Sequence, residues 1–303
     1  MRHFVANPTM SSLGHHAGGV VGFLKNLQLM ADKVSPSSIV VIWEGGGAVR
    51  RRAIYPEYKA GKRAPKLNRF YEDDIPDSQQ NKTNQVATVI SLLKEVPVRQ
   101  VYVSDCEADD VIGYLAKKTY KDDRCVIVSS DKDYYQLLTD RVIQWSPGQK
   151  KFVTAASLKE KFNISAVNFC TARCFVGDPA DNISGIKGVG LKTLSKRFPM
   201  LETDDFVSIN DILNLSRVHP RREKIKLYNA AIAGEHLIRR NWKLMYLDTN
   251  NLAASQIQKI DSIIDTFHST GNKISLIRKL LREGLNMFDA DSFYMSINSV
   301  LYR

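Results

Sequence analysis

The sequence predicts an α/β fold with a mainly parallel sheet, followed by a mainly helical region. Three observations carry this expectation. Short β-branched runs recur at residues 39–43, 98–103, 125–129 and 142–145. Stretches with apolar residues at helical spacing separate them. From about Ala155 the helical pattern continues nearly to the end, with residues 243–247 as one strand-like exception. Strand alternating with helix implies parallel strands covered by helices on both faces.

Residues 18–33 place apolar side chains on one helical face. Ile39-Val40-Val41-Ile42-Trp43 reads as a buried strand, Glu44 ends it, and Gly45-Gly46-Gly47 makes a turn. Between Arg50 and about Gln80 basic residues crowd together with Tyr55, Tyr58, Phe70 and Tyr71. Such a stretch buries little surface and is expected to be external and mobile. Helices are expected over residues 84–95 and 107–120. A domain boundary is placed near Asn163.

The chain has 303 residues, enough for one large domain or two modest ones. No apolar run approaches the roughly 20 residues of a membrane helix, and Met1-Arg2-His3-Phe4 opens no signal peptide. Four cysteines form no CxxC, which suits a reducing cytoplasm. Forty-three basic against 32 acidic residues give a formal charge of +11, and a basic protein of this kind suits a polyanionic partner.

Many of the acids nevertheless gather in a few places. Glu44 follows the first visible strand, Glu107, Asp109 and Asp110 follow the second, and Asp131 and Asp133 follow the third. Open parallel sheets bind ligands at the carboxyl ends of their strands. Carboxylates about 4 Å apart repel by roughly 4 kcal/mol per pair at an effective dielectric of 20. Divalent cations remove that cost. Donors that are all oxygen favour Mg²⁺ or Mn²⁺ over Zn²⁺. Taken singly, Asp109 and Asp110 also suit a helix N-terminus, and Asp131 and Asp133 a turn.

Asp178 and Asp181 stand just before a glycine-rich stretch with Gly185, Gly188 and Gly190. Glycines there permit close approach of another backbone, and Lys187, Lys192, Lys196 and Arg197 add charge for phosphates. The order G-x-x-G-x-G without a preceding strand argues against a dinucleotide fold.

With these residues in view, the chain resembles the 5′-nuclease superfamily: flap endonucleases, the 5′-nuclease domain of bacterial DNA polymerase I, and phage 5′-exonuclease/ribonuclease H enzymes. The matching words are Pro56-Glu57-Tyr58-Lys59, EADD at 107–110, SSDKD at 129–133, QWSP at 144–147 and VGDPADNISGIKGVG at 176–190. The resemblance runs to about residue 250. It implies a PIN-like nuclease domain over 1–163 with a helical arch at about 50–95, then a helical DNA-binding domain over 164–303 with a helix-three-turn-helix at 178–200. It implies two Mg²⁺ or Mn²⁺ ions, one served by Glu107, Asp109 and Asp110, the other by Asp131, Asp133, Asp178 and Asp181. Glu44 stands where the family has Asp. Lys59 and Lys62, at the arch base, would steer the scissile phosphate, with Arg63 beside them. The glycine stretch would hold K⁺ and bind duplex.

The implied activity is a structure-specific 5′→3′ exonuclease/flap endonuclease acting on branched or nicked DNA and on RNA–DNA hybrid. It would remove primers or flaps in phage replication, as a monomer in the host cytoplasm, near other replication proteins and away from any membrane. The family opens with a strand ending in Asp-Gly, and Met1 stands just beyond that point. A misassigned start or a truncation is therefore expected. The missing strand would lie between residues 39–43 and 125–129, so its loss would leave strand edges unpaired and one ligand absent. A branched-DNA-binding protein with impaired catalysis is the resulting rival. A PIN-type ribonuclease acting on single-stranded RNA is a second, and the glycine stretch argues against it.

Four features read as ordinary structure. His15-His16 suits a solvent-facing loop, Cys170 and Cys174 suit helix packing, residues 221–226 suit a solvated helix face, and Phe288, Phe293 and Tyr294 suit a core.

Overall fold

The fold is that of a computed structural model, which describes residues 2–61, 78–220, 224–268 and 271–302. Helices α1 (Arg2–Ala6) and α2 (Gly18–Val34) come first, then strand β1 (Ile39–Trp43), the short helix α3 (Val49–Ile54), helix α4 (Ser78–Leu93) and strand β2 (Val98–Tyr102). Helix α5 (Ala108–Tyr114) runs on into a π-helical turn, Leu115–Thr119. Strands β3 (Cys125–Val128), β4 (Val142–Ser146) and β5 (Lys151–Val153) precede helices α6 (Ala155–Phe162) and α7 (Ala166–Val176). A small antiparallel ribbon, β6 (Gly177–Asp178) with β7 (Ile183–Ser184), leads into α8 (Leu191–Arg197). Helices α9 (Ile209–Val218), α10 (Lys226–Ala233), α11 (Glu235–Met245), α12 (Ala254–Asp265), α13 (Lys273–Arg282) and α14 (Ala290–Asn298) follow.

Two compact units result, and they interleave along the chain. The first takes the described residues of Met1–Trp43, Lys62–Tyr102 and Gln258–Arg303; the second takes Glu44–Gly61 and Val103–Ile257. In the first, β1 and β2 pair in parallel from Ile39↔Val98 to Trp43↔Tyr102. Helix α2 buries Val20, Val21, Leu24 and Ala31, an i, i+3/i+4 face, in a core shared with Leu92, Leu93, Leu276 and Phe293. Ser35 ends α2 in the left-handed region, its N–H donating to the Ala31 carbonyl.

In the second unit β3 and β4 are parallel, and β5 returns antiparallel to β4. Helix α7 is buried on nearly every side, as an apolar helix at the centre of a core should be. Helices α6 and α9 each begin with a reciprocal capping box, Thr154 with Ser157 and Ser208 with Asp211. Asn163 closes α6 in the left-handed region.

The α/β region followed by helices is as the sequence predicts, with several differences in detail. Strands β1–β2 and β3–β4–β5 form separate ladders, and no strand joins them among the described residues. The strand expected over 243–247 is instead the end of α11, where Leu244 and Met245 fall on its buried face. Helix α3 occupies part of the stretch expected to be external, and Arg51 and Tyr58 there are buried. His16 is buried rather than solvent-facing: a ring nitrogen lies 2.8 Å from the Asn7 carbonyl and the other contacts Gln85. Cys170, Cys174 and Phe293 are core residues, as expected. Residues 221–223 and the arch segment 62–77 lie outside the described residues. No described helix is long and apolar enough to cross a membrane.

Candidate functional site

The second unit brings the sequence-predicted acids together. Glu107 is the N-cap of α5, in extended conformation, and Asp109 and Asp110 lie in the first helical turn. Successive helical residues point about 100° apart, so the two aspartates serve different surroundings. Asp110 turns inward to Arg51, which donates from Nη1 to Oδ2 at 2.6 Å and from Nη2 to Oδ1 at 2.8 Å. Asp109 turns the other way and accepts from the Tyr134 hydroxyl.

Residues Tyr55 to Lys59 form a turn that delivers two side chains to Glu107. The Tyr58 hydroxyl lies 3.2 Å from Glu107 Oε2 and 3.3 Å from Asp181 Oδ2. Lys59 Nζ pairs with Glu107 Oε1 and lies 3.7 Å from Asp181 Oδ2. Lys59 adopts a left-handed conformation (φ 55°). Its backbone N–H donates to the Asp181 carbonyl at 2.9 Å, and Asn182 Nδ2 donates to the Glu57 carbonyl at 2.9 Å. The 56–59 turn is thereby fastened to the 178–182 turn. Arg51 Nη1 also lies 2.6 Å from Glu107 Oε2, so both oxygens of Glu107 face cations.

A second group collects around Arg173 on α7. Its Nη2 lies 2.7 Å from Asp178 Oδ2 and 3.4 Å from Asp133 Oδ1, and its Nη1 donates to the Gly177 carbonyl. Asp131 and Asp178 also do local work: Asp131 Oδ1 accepts from the Asp133 N–H, and Asp178 Oδ1 from the Ala180 N–H. Each has one oxygen used in its turn. Glu44 accepts from the Ala108 N–H at the start of α5.

Negative charge is concentrated here beyond what the cations offset. Burial, with repulsion from Asp131, pushes the Asp109 carboxyl up to about 6 against a hydrogen bond from Tyr134. Burial, again with Asp131, pushes Asp133 up to about 7 although Arg173 pulls it down. Burial also raises Glu44, with Lys59 opposing. Tyr58 is raised by burial and then by Glu107 and Asp181, which keeps it a neutral donor. Burial would lower Lys59, but Glu107 and Asp181 raise it and keep it cationic.

Among the described residues no three acids already enclose a single point. Arg51, Lys59 and Arg173 stand between them. The donor chemistry still fits a hard divalent cation. Every candidate ligand is a carboxylate oxygen, and Asp109, Asp131 and Asp133 hold mutually repelling charge that such an ion relieves.

The glycine stretch is locked to this site. Gly177 has φ 76°, and a Cβ on it would stand 2.4 Å from the Ile183 carbonyl oxygen; on Gly185 it would stand 2.1 Å from that of Val176. Only glycine fits either position. Buried Asn241 on α11 donates to the carbonyls of Cys174 (2.9 Å) and Ser184 (2.8 Å), holding the ribbon on α7. Beyond it Lys187, Gly188, Lys192, Lys196 and Arg197 are exposed, and Gly190 precedes α8.

The description "5′-3′ exonuclease, N-terminal resolvase-like domain" matches residues 1–163. The chain belongs to this 5′-nuclease family. Thermostable DNA polymerase I of Thermus thermophilus is 33% identical over 229 residues, covering 74% of this chain but 25% of the polymerase. The match thus spans about a quarter of the polymerases' length. The 5′-3′ exonuclease of Aquifex aeolicus is 32% identical over 63% of each chain. The fold is that of the phage T5 D15 protein co-crystallised with metal ions, at TM-score 0.63 and 22% identity, over 80% of this chain and 90% of that one. It is also that of the Rad2 catalytic core in complex with DNA substrate, at TM-score 0.52 and 11% identity, over 98% of this chain and 88% of that one.

Of the residues singled out in the sequence, Glu44, Lys59, Glu107, Asp109, Asp110, Asp131, Asp133, Asp178 and Asp181 are gathered in this unit. Lys62 and Arg63 lie outside the described residues. Arg51, Tyr58, Tyr134, Arg173 and Asn241 were not singled out as site residues. Tyr58 stood inside a quoted motif; the site partners of Arg51, Tyr134 and Asn241 are 25 or more positions away, as Tyr134 to Asp109, so spacing gives no signal for them, whereas Arg173 stands five positions before Asp178 and 40 after Asp133.

Proposed function

We propose that this protein is a divalent-metal-dependent 5′→3′ nuclease that hydrolyses phosphodiester bonds in DNA, with flap, nicked and RNA–DNA structures as substrates. One observation carries the reading: carboxylates from residues 44, 107–109, 131–133 and 178–181 gather with Lys59 and Tyr58 in one unit of a 5′-nuclease fold. Glu107, Asp109, Asp131, Asp133, Asp178 and Asp181, with Glu44 nearby, would hold two Mg²⁺ or Mn²⁺ ions. When bound, such ions supply Lewis-acid stabilisation of phosphate oxygens and a lowered pKa for the attacking water.

The protein's own groups do the remaining work. Lys59, held cationic between Glu107 and Asp181, presents its ammonium to the scissile phosphate. Tyr58 fixes the Glu107 and Asp181 carboxylates through its hydroxyl. The water oxygen bonds to phosphorus as the P–O3′ bond breaks, leaving a 5′-phosphate and a 3′-hydroxyl. Lys187, Lys192, Lys196 and Arg197, with the open backbone at Gly188 and Gly190, would bind the duplex through its phosphates, and K⁺ at this hairpin belongs to the same reading. Such contacts carry little sequence information, so preference should follow structure rather than base sequence. Lys62 and Arg63 would meet the 5′ strand. Primer or flap removal in phage replication is the corresponding biological role.

A 5′-labelled flap incubated in Mg²⁺, Ca²⁺ or EDTA tests this. Cleavage in Mg²⁺ that Asp131→Asn abolishes supports it. Tight flap binding in Ca²⁺ with no cleavage in Mg²⁺ or Mn²⁺ would instead favour a branched-DNA-binding protein. Preference for single-stranded RNA would favour a ribonuclease.

A further inference from the structure

We infer that Asp110 is the counter-ion of Arg51 rather than a metal ligand, and that the Arg51–Asp110 pair positions Glu107. The inference rests on the metal-centre reading above. Arg51 is 3% exposed and Asp110 5%. The guanidinium spends both ends of its fork on Asp110, one on each carboxylate oxygen, at 2.6 and 2.8 Å. Its Nε–H goes to the Leu244 carbonyl at 2.8 Å, in the last turn of α11, where carbonyls lack helical partners and a cation is favoured. Nη1 also reaches Glu107 Oε2 at 2.6 Å. Three partners, two at the start of α5 and one at the end of α11, therefore fix this one planar group.

A cation bound to Asp110 would lie against that guanidinium in a buried setting, where like charges repel strongly. Glu107 differs. Arg51 holds Oε2, while Oε1 is turned toward Lys59, whose ammonium also faces Asp181. Fixing one oxygen sets the rotamer and aims the other at the remaining acids. Within the EADD word, then, Glu107 and Asp109 face the ions and Asp110 balances the charge of Arg51. Arg51 is a positioning residue. A bidentate guanidinium–carboxylate pair is suited to the task because it fixes direction as well as distance.

The test is Mn²⁺ binding by calorimetry to the full chain, stripped with EDTA, as wild type, Asp110→Asn, Asp131→Asn and the double variant Arg51→Met/Asp110→Leu. Asp110→Asn shifts the Arg51 charge onto Glu107 and should weaken Mn²⁺ binding about tenfold, the scale of an outer-shell loss. The double variant removes both charges and leaves neither one buried alone, but it also frees Glu107 Oε2, so it should keep every Mn²⁺ equivalent of wild type at an affinity about tenfold weaker. Asp131→Asn should lose a Mn²⁺ equivalent. A double variant that lacks a Mn²⁺ equivalent overturns the assignment of Asp110 as counter-ion, and one that binds as tightly as wild type overturns the positioning of Glu107. Wild type taking up no Mn²⁺ would remove the metal-centre reading and the inference with it, an outcome visible before any substitution. Circular dichroism confirms folding, and the double variant keeps the question open to answer if Asp110→Asn does not fold.

Discussion

Replacing Asp133 with Asn should stabilise the metal-free protein at pH 8 and leave it nearly unchanged at pH 4. Asp133 ordinarily titrates at 3.8 and is pushed up to about 7, chiefly by burial and then by Asp131. A folded-state value above the unfolded one means that the folded chain holds its proton after the unfolded chain has lost it. Stability therefore falls as pH rises between about 4 and 7, and the full penalty is present above 7. About three pH units correspond to roughly 4 kcal/mol at 1.36 kcal/mol each, a ceiling because Asp131 and Arg173 share the effect. Half of that, about 2 kcal/mol, amounts to a rise of roughly 4 to 8 °C in a domain of this size. Thermal unfolding in EDTA, followed by circular dichroism at both pH values, reads the effect. Mg²⁺ should narrow the pH 8 difference, because a bound cation removes the same repulsion in wild type. A variant that loses stability equally at both pH values would refute the argument that uncompensated charge is the cost.

Three further outcomes follow from the geometry. Asn241→Leu strands the carbonyls of Cys174 and Ser184 and should lower stability in urea by about 2–4 kcal/mol. Gly177→Ala or Gly185→Ala drives a Cβ to 2.4 or 2.1 Å from a carbonyl oxygen; each should cost more than about 2 kcal/mol and impair duplex binding, seen by denaturation and fluorescence anisotropy. Lys192→Ala and Lys196→Ala, both exposed, should each reduce the salt slope of duplex binding by about one without changing sequence preference.

Much of the fold was legible where local pattern and burial agree. Five consecutive apolar residues, 39–43, leave little choice but a strand, and β1 has those bounds, although its residues are half-buried rather than buried as expected. Residues 243–247 misled because the last turn of an amphipathic helix also alternates; Asn241 and Ile238, one and two turns earlier on the same buried face, decide for helix. Strand β5 has three residues, too few for a period, and exists through its pairing with β4. Three successive arginines, 50–52, look like solvated charge, and only the fold places Arg51 between Asp110 and Glu107. The acids themselves were legible as types and spacing. Their division into an Arg51-balanced pair and an uncompensated group around Asp131 depends on side-chain direction, which sequence does not carry.

The most direct measurement is anomalous diffraction at the manganese edge from crystals grown with Mn²⁺. Density peaks among the carboxylates of residues 107, 109, 131, 133 and 178, on the side of Glu107 away from Arg51, are the predicted result. Ordered manganese elsewhere on the chain, with none at those carboxylates, would contradict the account.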